Sequence, residues 1–160
     1  MIYRRGTQDD IPELVRMRIG YLIEHHDGLA EAHQDHLQRK LLSYFKSHLD
    51  KTIRAYIAVD TEPHVVSTTF LLITEKPARP SFMNGKTGTV LNVFTEKDYR
   101  RRGISEILMK MLMQDAHEEG LDYIDLTATE DGYPLYKKLG FAEEKPKTKP
   151  MKLTLRKPEI

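Results

Sequence analysis

The sequence predicts a mixed α/β (α+β) domain with a central mixed sheet of about six to seven strands and about four helices. Three observations lead there. Short apolar runs alternate along the chain with segments whose apolar residues repeat every three or four positions. Their order is strand, two helices, three strands, helix, strand, helix, two strands, a mixture that calls for both antiparallel and parallel pairing. At 160 residues, with 39% apolar and 31% charged residues, the chain can bury one core and cover it, so residues 1–160 read as a single domain.

Residues 2–5 read as a first short strand. Asp9 or Asp10 is expected to cap the following helix, with Pro12 in its first turn. Ile11, Leu14, Val15 and Leu22 mark one face of that helix, and Arg18 interrupts the stripe. The run Glu24-His25-His26-Asp27-Gly28 ends it. A second helix is expected over about residues 35–49, carried by Leu37, Leu41, Leu42, Phe45 and Leu49. Residues 53–59 and 65–73 read as strands joined at Glu62-Pro63, and residues 76–86, with two prolines and an Asn-Gly, as a mobile loop. Residues 123–127 read as a strand and 134–139 as a short helix stopped by Gly140. A strand is expected to start at Phe141, followed by the linker KPKTKP and a last alternating strand over 151–155.

The stretch from Gly88 to Gly120 organises the rest. The apolar run 90–94 reads as a buried strand, a charged turn follows over 95–99, and three arginines and Gly103 then precede a helix. Ile104, Ile107, Leu108, Met111 and Leu112 give that helix its apolar stripe, and Gly120 ends it. Strand, glycine-bearing turn and helix start make an anion site. The first helical N–H groups have no partner within the helix, and its dipole places partial positive charge there. Gly103 lets the backbone approach a bulky phosphate, and Arg100, Arg101 and Arg102 add charge. The spacing fits neither a P-loop nor a dinucleotide fingerprint, since a single glycine is present and no Gly-Lys-Ser/Thr follows.

RRRGIS, residues 100–105, resembles the Arg/Gln-x-x-Gly-x-Gly/Ala signature of the GCN5-related N-acetyltransferases, and PLYKKLGF, residues 134–141, resembles that family's Leu-Tyr-x-x-x-Gly-Phe segment. The gap between the two motifs and the order of elements also match, so the resemblance spans nearly the whole chain. It implies the GNAT-type acyl-CoA N-acyltransferase fold, with acetyl-CoA as cosubstrate and a primary amine on a small molecule or peptide as acceptor. In such proteins backbone N–H groups of the turn hold the coenzyme pyrophosphate, which here implies Arg101, Arg102, Gly103, Ile104, Ser105 and Glu106, with Arg100 beside them. The preceding strand pairs with the pantetheine arm, which implies Val93, Phe94 and Thr95. Tyr136 matches the family tyrosine near the coenzyme sulfur and is the candidate general acid as well as a cofactor contact. Leu135 and Leu139 are expected to anchor its helix, leaving Tyr136 to face the coenzyme. Ser105 departs from the pattern, because it stands where Gly or Ala is usual. Direct attack of the amine on the thioester in a ternary complex is the implied mechanism. The alternative is a regulatory module that binds acyl-CoA without turnover.

The general base stays open among Glu24, His25, His26, Asp125 and Glu130. At the family's frequent asparagine position, seven before the tyrosine, the chain has Thr129. Acceptor walls are expected from residues 21–38 and 76–86, and Arg18 is a candidate for a substrate carboxylate. Adjacent His25 and His26 cannot face one another on a helix, so they suit a solvated terminus and no metal is expected. A formal net charge of +1 argues against a nucleic-acid partner. The chain has no cysteine, which rules out disulfides, thiolate ligands and a cysteine nucleophile. No run approaches the ~18 apolar residues of a membrane helix, and MIYRRGTQDD lacks a signal peptide's apolar segment, so a cytoplasmic protein is expected. A homodimer is one of the assemblies left open.

Overall fold

The structure is a computed structural model, and it describes residues 1–25 and 29–157. It divides into two compact units, Met1–Thr127 and Ala128–Ile160. In the first unit β1 (Ile2–Arg5) leads through a 3-10 turn (Gln8–Asp10) into α1 (Ile11–His25) and α2 (Glu31–His48). Strands β2 (Ile53–Thr61), β3 (His64–Glu75) and β4 (Lys86–Thr95) follow, then a 3-10 turn (Lys97–Tyr99), α3 (Ile104–Glu118) and β5 (Tyr123–Asp125). The sheet runs β1-β2-β3-β4-β5, antiparallel throughout except for the parallel β4–β5 pair. The second unit carries α4 (Tyr133–Lys138).

Side-chain alternation along β2 sorts the helices onto the two faces of the sheet. Ile53, Ala55, Ile57 and Val59 join Ile11, Leu14, Val15 and Met17 of α1 and Phe45 of α2 in one apolar core. The residues between them point the other way. Arg54 pairs with Glu119 at 3.0 Å, just past the end of α3, and the Tyr56 hydroxyl donates to Asp115 of α3 at 2.9 Å. Burial and the Asp115 contact raise the Tyr56 phenol well above the ordinary tyrosine value, so it stays a neutral donor. Ile104, Leu108 and Leu112 of α3 are buried, as the predicted stripe requires, whereas Ile107 is exposed, Met111 is only half-buried, and Met109, outside the stripe, is fully buried.

Several expectations are corrected. The cap before α1 is Thr7, not Asp9 or Asp10. Thr7 and Asp10 form a reciprocal capping box around the 3-10 turn that precedes the helix. Helix α2 begins at Glu31, ahead of its apolar stripe, and β4 begins at Lys86. The loop between β3 and β4 is closed by Lys76 N–H donating to the Gly85 carbonyl at 2.7 Å. Five strands form among the described residues, not six or seven. Residues 141–157 contain none, and Met151, Leu153 and Leu155 are more than four-fifths exposed. The prolines in KPKTKP remove ladder donors, and an alternating pattern without a neighbouring strand does not make a sheet.

Asp10 holds the N-terminal corner. Its carboxylate receives both Arg4 nitrogens, at 2.7 and 2.9 Å, and the Thr7 N–H at 2.7 Å. The Arg4 hydrogen bonds, together with those from Thr7, hold this carboxyl below the usual carboxylate range. Because the folded-state value is depressed, the stabilisation is fully present above the unfolded value, ~3.9, starts to fade below it, and is lost as pH falls on through the lower folded-state value. Asp10→Asn is expected to cost about 2 kcal/mol at pH 7. Urea midpoints should show the gap between wild type and variant narrowing by pH 3. A gap that persists there would mean that the Asp10 charge is not what holds the corner.

Candidate active site

The site is built on β4, and β4 is irregular where it matters. Its register with β3 passes from Thr68↔Phe94 to Phe70↔Leu91, so Asn92 and Val93 together oppose the single residue Thr69. Asn92 takes the left-handed region at φ 54, which asparagine tolerates better than most side chains. Opposite the bulge, the buried Thr69 hydroxyl has no hydrogen-bond partner among the described residues. On its other edge β4 pairs with β5 only as far as Thr89↔Asp125, while β4 itself runs on to Thr95. The last six residues of β4 therefore have no partner in β5, which leaves backbone groups on that edge available to an amide-bearing ligand, apart from the Thr95 carbonyl that Arg100 occupies.

The turn after β4 prepares a helix start. Arg101 at φ 62 and Gly103 at φ 74 both adopt the left-handed conformation. Such residues turn successive N–H groups inward and make an anion-binding concavity. A Cβ at Gly103 would meet nothing within 4 Å, so the glycine serves its backbone angle and leaves open space beside it. Gly103 caps α3 without a side-chain hydrogen bond, and the Ile104, Ser105 and Glu106 N–H groups make up the first turn. This is the uncapped, positive helix end that the sequence predicts.

The structure divides the arginine triplet. Arg100 donates from Nε to the Thr95 carbonyl at 2.8 Å and pairs through Nη2 with Glu24 of α1 at 2.7 Å. Arg102 donates to the Asp98 carbonyl at 2.7 Å and lies over the Tyr99 ring. Arg101 and Arg102 are both exposed and make no ion pair among the described residues, so their charges are left for a ligand, with Arg102 held in place by its backbone contact. Ser105 acquires a job that the motif pattern does not predict. Its hydroxyl meets Thr95 Oγ1 at 2.9 Å, and Thr95 Oγ1 meets Ser67 Oγ at 2.8 Å. Ser67 donates to the Phe94 carbonyl at 3.1 Å, so protons in this relay run from Ser105 through Thr95 to Ser67. The hydroxyl that departs from the family pattern thus pins α3 to β4.

A cavity of about 390 Å³ lies between α1 and the end of β4, lined by Gly20, Ile23 and Glu24 on one side and Phe94, Glu96 and Arg100 on the other. The Arg100 contact holds the Glu24 carboxyl below the ordinary glutamate value, which disfavours it as a base. Asp125 accepts from the Thr89 hydroxyl at 2.6 Å, at the point where β4 and β5 stop pairing. His25 packs edge-on against Tyr21, Glu130 is exposed, and His26 lies outside the described residues. Among the described residues no group of three or more His, Asp or Glu side chains is placed to hold a metal ion. No described helix is long and apolar enough to cross a membrane.

In the second unit, Tyr136 is buried while Leu135 and Leu139 are only half-buried, the reverse of the expected anchoring. A Cβ at Gly132 would come within 2.8 Å of the Tyr136 ring, so that glycine makes room for it. Phe141 packs edge-on at 6.0 Å and donates its N–H to the Tyr136 carbonyl. Thr129, at the position where the family often has asparagine, accepts from the Gly132 N–H at 3.2 Å and so helps start α4.

The acetyltransferase (GNAT) family model matches residues 19–141 of this sequence. The crystal structure of a predicted acetyltransferase with acetyl-CoA from Clostridium acetobutylicum has a TM-score of 0.82 at 26% identity, over 96% of this chain and 96% of that chain. A GCN5-related N-acetyltransferase from Ralstonia eutropha JMP134 has a TM-score of 0.74 at 27% identity, over 94% and 97% of the two chains. Glucosamine-6-phosphate N-acetyltransferase from Arabidopsis thaliana shares the fold at a TM-score of 0.68 and 16% identity, over 94% and 97%. Among curated protein sequences, none matches.

The hydroxyl relay can be tested by stability alone. Ser105→Ala should cost about 1 kcal/mol, because one hydrogen bond is lost while Thr95 keeps Ser67. Thr95→Val should cost more, because it also strips Ser67 of a partner. Since both variants remove the same Thr95–Ser105 bond, their double variant should cost about 1 kcal/mol less than the sum in urea denaturation. Strict additivity would mean that the two hydroxyls do not interact.

Proposed function

The chain belongs to the acetyltransferase (GNAT) family, and on that footing we propose that it moves an acetyl group from acetyl-CoA to the primary amine of a small molecule or peptide. The observation that carries the proposal is the uncapped start of α3, set by left-handed Gly103 beside the bulged and half-open β4. These residues suit the coenzyme. Backbone N–H groups of the turn and of the first turn of α3, from Arg101 to Glu106, would meet the pyrophosphate, and Val93, Phe94 and Thr95 would pair with the pantetheine amides. Arg101 and Arg102 add charge at the turn, and Arg100 and Arg102 fix its shape.

The reaction is a direct transfer within a ternary complex. The amine nitrogen attacks the thioester carbonyl carbon, the C–N bond forms, and the C–S bond breaks to release the coenzyme thiolate. A strand N–H near Phe94 or Thr95 would stabilise the oxyanion. The proton lost from nitrogen leaves through a base, and the thiolate gains one from a donor. Tyr136 is the proposed donor. A thiol of pKa ~8.5 against a tyrosine of ~10 makes full transfer uphill by roughly 2 kcal/mol, so the hydroxyl acts mainly by hydrogen bonding to the developing charge. An amine of pKa ~10 is about one part in a thousand neutral at pH 7, a cost of ~4 kcal/mol unless a base shares it. Asp125 is the candidate that the geometry favours, since Glu24 is committed to Arg100. That commitment also keeps a second reading alive, an acyl-CoA-binding module without turnover.

Gly103→Val tests the coenzyme site. The new side chain has room in the protein itself and costs about 1–2 kcal/mol of backbone strain, so the fold should survive. Acetyl-CoA affinity by calorimetry should fall at least ~10-fold, because the branched side chain enters the phosphate path. Unchanged affinity in a folded variant would remove the assignment.

Tyr136→Phe tests the acid. Steady-state kinetics with an accepted amine should show kcat down by ~10²-fold and acetyl-CoA affinity held. If kcat is unchanged while chemistry limits the rate, the hydroxyl has no part in it. If no amine in a broad panel releases coenzyme although acetyl-CoA binds, the non-catalytic reading stands.

A further inference from the structure

Arg18 differs from the other arginines packed around the sheet. Arg4 pairs with Asp10, Arg5 with Asp50 and Asp115, Arg16 with Glu13 and Glu96, Arg54 with Glu119, and Arg100 with Glu24. Arg18 has no carboxylate partner among the described residues. It is half-buried on α1, over the Tyr21 ring at 5.4 Å, and its one hydrogen bond among the described residues runs from Nη1 to Asn92 Oδ1 at 3.3 Å. Burial lowers its pKa below the ordinary arginine value, against the opposing influence of the Tyr21 and Tyr44 phenols. A desolvated guanidinium with five donors and one long hydrogen bond is an unfinished site.

Its position gives it a use. Asn92 is the bulged residue of β4, the strand proposed to carry the acetyl donor. The Asn92 amide is itself fixed, because Nδ2 donates to Thr68 Oγ1 at 2.9 Å and so turns Oδ1 toward Arg18. Arg18 is only half-buried, so part of its side chain keeps access to open space. A lone planar fork carrying one charge matches a carboxylate, with two parallel N–H···O bonds and charge neutralised one for one. A phosphate would call for more positive groups than stand here.

We propose that Arg18 receives the carboxylate of the acceptor, so that the acceptor is an amine that also carries a carboxylate, of the amino-acid class. This rests on the acetyl-CoA reading and deepens it by naming the substrate class. Arg18 is then a specificity residue. It selects and orients the acceptor on the α1 side of β4 and takes no part in the proton transfers.

The test uses the full chain loaded with CoA and product-like probes. N-acetyl forms of small α-amino acids are titrated by calorimetry against their neutral amides, on wild type, Arg18→Gln and Arg18→Lys, with CoA affinity measured separately. In wild type the acids should bind ~10-fold or more tightly than the amides. Arg18→Gln should bring the ratio to about 1 with CoA affinity unchanged, and Arg18→Lys should leave it between, because charge is kept and the fork is lost. A wild-type ratio of about 1, or no binding of either form to the CoA complex, overturns the carboxylate proposal while coenzyme binding still stands. A ratio that survives in Arg18→Gln moves the carboxylate to another residue. Failure of wild type to bind CoA removes the acetyl-transfer reading, and this inference goes with it. If Arg18→Gln does not fold, the wild-type ratio and Arg18→Lys decide.

Discussion

Strand β4 has to satisfy two demands at once, and the bulge at Asn92 is how it meets them. On one edge it must stay paired with β3, because that ladder carries the middle of the sheet. On the other its pairing with β5 stops, which leaves that edge to the proposed coenzyme. Two residues against one at Thr69 bend the strand, and pairing with β5 ends at Thr89. The energetic cost is visible in the left-handed Asn92 and in the unpartnered Thr69 hydroxyl. The surrounding sheet is tightly buried: Ala55, Ile57, Ala58, Val65 and Leu71 have no exposed surface, and a core of that density holds the irregular residues in place.

The helix start that completes the site is secured from the strand as well as from the turn. Ser105, Thr95 and Ser67 link α3 to β4 and β3 through hydroxyls, and Arg100 ties the Thr95 carbonyl to Glu24 of α1. Both faces of the sheet therefore converge on Thr95, the last residue of β4. With the turn fixed in this way, its N–H groups need little reorganisation to meet an anion. The arginine triplet contributes shape at Arg100 and Arg102, and charge without an ion-pair partner among the described residues at Arg101 and Arg102.

Much of this was legible in the sequence because it depends on local spacing. The 3.6-residue stripe of α3, the glycines on either side of it and the apolar run before it fix strand, turn and helix within a few dozen residues. The two motif resemblances then supply the fold. What could not be read depends on partners far apart in the chain. Glu24 and Arg100 are 76 residues apart, and Arg18 and Asn92 are 74 apart. Asn92 did leave a trace, as a polar residue that tolerates the left-handed region inside an apolar run, yet nothing near it fixes a bulge. The strand expected over 151–155 failed for the converse reason. Its alternation was genuine, but a strand also needs a neighbour, and sequence spacing does not supply one. The cap before α1 was misassigned because Thr7 and Asp10 are both capping types, and only their reciprocal bonds decide which leads.

The central claim is that acetyl-CoA lies along the open edge of β4 with its pyrophosphate on the first turn of α3. Amide chemical-shift mapping tests it most directly, by titrating the labelled full chain with CoA and following each backbone N–H. The account predicts that the largest shifts fall on residues 101–106, where N–H groups acquire phosphate acceptors, and on residues 93–95, where the strand acquires a partner. Saturable binding that leaves Gly103, Ile104 and Ser105 unmoved while shifts concentrate elsewhere would contradict it.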